Sequence, residues 1–189
     1  MALLAESLVE EWLNRAGYFT IRGVKHGLGE MDLLAVRPQP DGVAGWHVEA
    51  TVSFRPIGYI AREPAGSAGG RGSHVRKRTP EQVRAYATGW VEAKFRAPDK
   101  VRLRADLWPG VRWSFHLVHG VVRYPDELEA IVSQGVVCHP FHALLSDLSE
   151  RGGRAFSGSA GGDLAEIISY YKTYDTKIAA PSVAADRRT

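Results

Sequence analysis

The chain of 189 residues contains one cysteine, Cys138, and two methionines. A lone cysteine excludes an intrachain disulfide framework, so ordinary packing must hold the fold. No stretch approaches about 18 consecutive apolar residues, the length a membrane-spanning helix needs. Residues 1–12 carry Glu6, Glu10 and Glu11 and no base, which is the wrong charge for a secretory leader. These absences lead to the expectation of a soluble, cytoplasmic protein with no membrane partner. Apolar residues are not scarce: hydrophobic residues make up 44% and charged residues 24%, which excludes a wholly disordered chain. At about 150 residues per domain, the length suits one domain with additions.

Charge of one sign is nearly absent from the balance, which is only +3. Residues 55–104 nevertheless hold 12 Lys and Arg against four acids, a local charge of +8, and the rest of the chain sums to −5. A clustered basic segment is the footprint expected of phosphate binding, though a solvated surface with scattered ion pairs has the same composition.

Apolar spacing predicts a helix over Ala2 to Ala16, ended by Gly17. Strands are predicted over Tyr18 to Lys25, Met31 to Val36 and Trp46 to Phe54. Pro38 to Gly45 reads as the turn of an antiparallel hairpin between the last two. Residues 55–78 form a long loop rich in Gly, Ser and Arg. A helix from Thr79 to about Arg96 comes next, with Thr79 as N-cap, Pro80 in the first position and Gln82 closing a capping box. Further elements are expected at Trp113–Val118 (strand), Asp126–Ser133 (helix), Val136–Cys138 (strand) and Phe141–Glu150 (helix). Residues 1–150 thus read as one domain and 151–162 as a flexible linker. Asp163 is expected to cap a last helix over 163–178, and 179–189 form a loose tail. The order α-β-β-β-α-β with further helices indicates a mixed α/β core.

The chemistry lies in Gly29-Glu30-Met31-Asp32-Leu33-Leu34-Ala35-Val36 and, after the turn, Trp46-His47-Val48-Glu49-Ala50-Thr51-Val52. Strand side chains alternate faces. Glu30, Asp32 and Leu34 therefore share one face, and His47, Glu49, Thr51 and Ser53 share one face of the next strand. Charges among core-strand residues are costly unless paired, protonated or bound to metal. If the strands pair with these faces aligned, Asp32 and Glu49 converge, and two carboxylates with open water positions suit Mg²⁺. Glu6 lies at the edge of the first helix's apolar stripe and is its acid best aimed at the sheet, whereas Glu10 and Glu11 lie further from the stripe's centre or on its opposite margin.

A helix with Glu6, then Gly-Glu-Met-Asp-Leu-Leu-Ala, then His-Val-Glu-Ala-Thr resembles the PD-(D/E)XK nuclease superfamily. The likeness is to its Holliday-junction-resolvase-like and small resolvase-like bacterial members, and covers about residues 3–54. It implies a restriction-endonuclease-like α/β fold, a mixed central sheet flanked by helices. It also implies Mg²⁺ or Mn²⁺ as cofactor and hydrolysis of nucleic-acid phosphodiesters, of DNA rather than RNA and of structured or branched DNA, by a protein that can act as a homodimer. Position by position, it makes Asp32 and Glu49 metal ligands, with the Ala50 carbonyl as a further one and Glu6 and Glu30 as supporting acids.

The family's lysine falls on Thr51. A threonine hydroxyl can hydrogen-bond a water but brings no positive charge. Either a base comes from elsewhere, or the chain is a catalytically degenerate nuclease-fold module that binds nucleic acid or a protein partner. Lys94, on the helix face of Val83, Ala87 and Trp90, is the candidate replacement, and an inward-reaching lysine would have a lowered pKa. Arg71, Arg76, Lys77 and Arg78 are candidate phosphate contacts from the long loop, and Gln82 resembles a glutamine that some relatives carry near the site. Cys138-His139-Pro140-Phe141-His142 lacks the second spaced ligand pair of a structural zinc site and reads as a buried thiol beside histidines.

Overall fold

The computed structural model describes residues 2–26, 29–53, 55–63, 77–150 and 160–179. Helix α1 (Ala2–Arg15) leads to strands β1 (Phe19–His26), β2 (Gly29–Gln39) and β3 (Gly42–Thr51). Then come α2 (Pro80–Val91), a π-helical turn (Glu92–Arg96), α3 (Pro98–Leu107) and β4 (Arg112–His119). Helix α4 (Pro125–Val132), β5 (Val136–Pro140), α5 (Phe141–Glu150) and α6 (Ala160–Ala179) complete the chain. The five strands form an open mixed sheet in the order β1-β2-β3-β4-β5. β1, β2 and β3 pair antiparallel, while β3 with β4 and β4 with β5 pair parallel. Parallel neighbours need a crossover, which α2 to α3 supplies for the first pair and α4 for the second. The fold is therefore the α/β mixed sheet flanked by helices expected from the element order.

Helices cover both faces of the sheet. One face packs Leu33, Ala35, Val48 and Val118 against Leu8, Val9 and Leu13 of α1 and Leu144 and Leu148 of α5. The other packs Leu117 and Val136 against Val83, Ala87 and Val91 of α2, Phe95 of the π turn, and Ala130 and Ile131 of α4. Burial on both faces explains why Leu33, Leu34 and Ala35 form a continuous apolar run rather than an alternating one. Truncating a fully buried residue such as Leu33 to Ala costs about 2–5 kcal/mol.

α1 ends as the sequence indicates. Gly17 has φ +84°, its N–H donates to Asn14 O (2.9 Å), and Tyr18 N–H donates to Leu13 O (3.0 Å). That pair of bonds is the Schellman motif, whose left-handed residue favours glycine. At the start of α2, the Thr79 hydroxyl accepts from Gln82 N (3.3 Å) and the Gln82 side chain accepts from Thr79 N (3.0 Å). The capping box therefore forms as the sequence indicates.

Several boundaries differ from expectation. The hairpin turn is only Pro40 and Asp41, because Gln39 pairs with Gly42 and the strands absorb Pro38 and Gly42 to Gly45. β3 ends at Thr51, so Val52 and Ser53 lie beyond it, and Phe54 is outside the described residues. The expected helix over 79–96 divides into α2 and a π turn, and α3 stands where the sequence predicts no helix. α6 begins at Ala160, so residues 160–162 belong to a helix rather than a linker, and Asp163 stands in its first turn, not at its cap. Residues 151–159 and 180–189 lie outside the described residues. Among the described residues, no helix is long and apolar enough to cross a membrane.

Candidate active site

The pairing of β2 with β3 sets Leu33 opposite Val48 and Leu34 opposite His47. The same register continued one step brings Asp32 beside Glu49, the convergence the alternation implies. The ladder stops there, and Ala50 N–H donates instead to Asp32 Oδ2 at 2.8 Å. The N–H and C=O of one strand residue point toward the same neighbour. Ala50 therefore also turns its carbonyl toward the β2 side, where Asp32 stands.

Glu49 is 1% exposed. Its Oε2 accepts from Lys94 Nζ at 2.5 Å, while Oε1 lies 3.2 Å from His47 Nε2 and 3.5 Å from Lys100 Nζ. Burial alone would push the Glu49 carboxyl up, but the His47 bond and the two ammonium charges outweigh it and hold the group below its ordinary value. Asp32 has the opposite balance. Burial and the Glu49 charge push it up to about 6, against the pull of the Ala50 N–H and Lys94. Two close acids, one ionised and one held back, are the arrangement a further cation would relieve.

Lys94 reaches Glu49 from the π turn. A π turn inserts one residue into a helix, rotates the residues after it and recurs at functional sites. Within it Lys94 meets Glu49 while Phe95 stays fully buried. Burial works against the Lys94 ammonium, but the Glu49 charge and hydrogen bond outweigh it and raise its pKa. The expectation of a lowered pKa is thus corrected: Lys94 is a donor and a charge, not a base. Thr51 is half-buried on the Glu49 face of β3, and its carbonyl accepts from Gly120 N–H (3.0 Å).

Glu6 comes from α1, is 9% exposed and has its pKa raised by burial first and then by Glu30 and Glu49. It therefore lies within electrostatic reach of the acid pair. Glu30 is exposed, and its carbonyl accepts from Lys100 (3.3 Å). Glu11, which the helical spacing sets away from the buried stripe, is 1% exposed and pairs with Arg15 at 2.7 Å. The reason is α6: a Cβ on Gly161 would run into Ser7 and Glu11, so α6 covers the other side of α1.

The basic candidates separate. Arg71 and Arg76 lie outside the described residues, and Lys77 is exposed. Arg78 is not a free phosphate contact but a clamp. It donates to Ala61 O (2.7 Å), lies 3.7 Å from Glu127 and stacks on the rings of Tyr59 (4.0 Å) and Tyr86 (4.7 Å). Glu127, also 1% exposed, accepts from Ile60 N (2.6 Å) and Ala61 N (2.9 Å). Gln82 is committed to the capping box.

Three participants in the site carry no clear signal in the sequence. Strand alternation sets His47 on the Glu49 face but assigns it no role. Lys100 and Arg104, 7% and 4% exposed, are the buried residues of α3. Their spacing of four is the available signal, but a helix whose inward positions are both cations shows no apolar periodicity. Cys138 has its thiol pushed up to about 11 by burial, which leaves it unreactive. His139 bonds His116 (2.9 Å), which Ser114 also holds (2.9 Å). Among the described residues, no group of three or more His, Cys, Asp and Glu side chains stands ready to hold a metal.

No family model matches the chain, and no curated protein matches it. A solved protein of unknown function, AF1548, is similar at 12% identity and a TM-score of 0.49, over 95% of this chain and 100% of that one.

Proposed function

We propose that the chain is a metal-dependent nuclease of the PD-(D/E)XK kind that hydrolyses nucleic-acid phosphodiesters, DNA rather than RNA. The observation that carries this reading is the meeting of Asp32 and Glu49 where β2 and β3 part, with the Lys94 ammonium on Glu49. Lys94 supplies from the π turn the positive charge that Thr51 lacks.

The donor set fits a hard divalent cation: two carboxylates and, from Ala50, a carbonyl on the same side. Among the described residues Asp32 accepts only at Oδ2, and its carboxyl is held back by burial and by Glu49, so a cation there would relieve an existing repulsion. Glu49 divides its oxygens. Oε1 is held by buried His47 and Lys100, whose side chains are 0% and 9% exposed, whereas Oε2 is held by Lys94, whose side chain is 38% exposed and can withdraw. Asp32, Glu49 Oε2 and the Ala50 carbonyl are thus the groups that would hold Mg²⁺ or Mn²⁺. Such an ion, when bound, neutralises the scissile phosphate and acidifies an attacking water. Lys94 would offer an ammonium to the phosphate oxygens, and Glu6 a carboxylate for orienting water. Arg62, exposed and near enough to Lys94 to act against its charged form, is a further cation beside it.

One observation favours a second reading, a nuclease-fold module that binds without cutting: Lys94 and Lys100 already offset the Glu49 charge without any metal. Cleavage of plasmid, branched and single-stranded DNA with Mg²⁺ and with Mn²⁺ tests the choice. Metal-dependent cutting that disappears in Asp32→Ala and Glu49→Ala is expected. Cutting that survives both substitutions overturns the mechanism, and salt-sensitive DNA binding without cutting selects the second reading.

A further inference from the structure

We infer that Arg104 and His47 form a buried positioning relay that fixes which oxygen of Glu49 is anchored and which is left to exchange. The inference rests on the acid-pair reading above for its functional meaning, but its geometry stands apart from it.

His47 is fully buried between Phe95 and Phe115, with ring centroids at 4.9 and 6.3 Å. Its Nδ1 lies 2.8 Å from Arg104 Nη1, and its Nε2 lies 3.2 Å from Glu49 Oε1. A guanidinium carries donors only, so Nδ1 must be the acceptor of that bond. A neutral imidazole with a lone pair on Nδ1 carries its proton on Nε2. That proton faces Glu49 Oε1. The guanidinium at hydrogen-bond distance from Nδ1 thus sets which ring nitrogen accepts and which one faces Glu49.

Arg104 makes the case independently. It is 4% exposed, its guanidinium lies over Phe115 (5.3 Å) and Trp113 (6.0 Å), and its Nε has no hydrogen-bond partner. Among the described residues, its side chain hydrogen-bonds His47 and forms no ion pair with a carboxylate. A buried cation without a carboxylate costs stability. Here the cation is coupled to Glu49 through one imidazole, which gives it a directional task that a neutral side chain would not perform. With Lys100 on the same oxygen, Oε1 has two buried donors, and the carboxylate plane cannot turn without losing both. Oε2 is left to Lys94.

The test uses the full chain and two readouts. Nitrogen-15 imidazole spectra of the metal-free wild type are expected to show His47 as a neutral ring protonated on Nε2. Arg104→Met, which keeps the stem and removes the donors, is expected to release that tautomer. Manganese binding by calorimetry is the second readout. His47→Phe and Arg104→Met are expected to weaken Mn²⁺ binding about ten- to a hundredfold, as for groups that orient a metal ligand. His47→Gln, whose amide can accept from Arg104 and donate to Glu49, is expected to restore it to within about threefold of wild type. A wild-type ring protonated on Nδ1, or on both nitrogens, overturns the relay, as does wild-type Mn²⁺ affinity in a folded His47→Phe. If the wild type binds no Mn²⁺, the acid-pair reading fails, while the imidazole spectrum still decides the relay.

Discussion

Glu49 and Glu127 are buried to the same extent, 1% exposed each, and both hold hydrogen bonds across long stretches of sequence. Their surroundings are opposite. Glu127 binds two backbone N–H groups and pins Ile60 and Ala61, and through them the start of the long basic segment, to α4. Its pKa is raised by burial first, against the pull of those N–H groups and Arg78. Glu49 binds side chains alone, including two ammonium groups, and another acid stands next to it. Two of Glu127's contacts are to the backbone, with Arg78 beside them at 3.7 Å. One of Glu49's contacts, Lys94, sits on a partly exposed stem. Burial therefore does not separate the two carboxylates; the kind of partner and the presence of a second acid do.

The largest expected effect that separates the two is on cleavage. Glu49→Gln or Asp32→Ala is expected to lower DNA cutting by about a thousandfold, the scale on which loss of an electrostatic stabiliser reads. Glu127→Ala in the same assay is expected to stay within a few-fold of wild type. Stability reverses the order. Glu127→Ala leaves the buried Ile60 and Ala61 N–H groups without acceptors, and urea unfolding is expected to show a loss of about 2–4 kcal/mol. Cutting lost equally by both variants would erase the distinction.

Asp32→Asn is expected to stabilise the metal-free protein. The folded pKa of Asp32, about 6, is above its ordinary 3.8, so the stability its carboxyl lends is full below about pH 4 and is lost as pH rises through 6. The Asn variant, which can still accept the Ala50 N–H, should therefore exceed wild type by about 3 kcal/mol at pH 7 and approach it below about pH 4. His116 gives the opposite slope. Burial, with His139 beside it, lowers its pKa to about 3, so the unfolded chain binds a proton that the folded chain refuses. Wild-type stability should then decline as pH falls below about 6.5, and His116→Gln should flatten that decline. The smallest effect is expected at exposed Lys77, where an Ala substitution should change DNA affinity less than about threefold and only lessen its salt dependence.

The acid strands are legible in the sequence because period-two alternation is a local property: Asp32 and Glu49 take their faces whatever covers them. Lys94 is half legible. Its helix can be read, but the π turn that aims it cannot, since nothing in Glu92 to Arg96 marks an inserted residue. α3 is illegible because its inward positions are Lys100 and Arg104, and an apolar stripe is what a helix is read by. Glu11 misleads because helical spacing alone gives that face of α1 to solvent, whereas α6, distant in sequence, lies over it. In each case the missing information is tertiary: Glu49, His47 and α6, which place Lys94, Lys100, Arg104 and Glu11, lie tens of residues away in the sequence.

Calorimetric titration of the metal-free chain with Mn²⁺, run on the wild type, Glu49→Gln and Glu127→Ala, tests the central claim most directly. The expected result is Mn²⁺ binding that Glu127→Ala keeps and Glu49→Gln loses. Wild-type binding in Glu49→Gln, or no binding in the wild type, would contradict it.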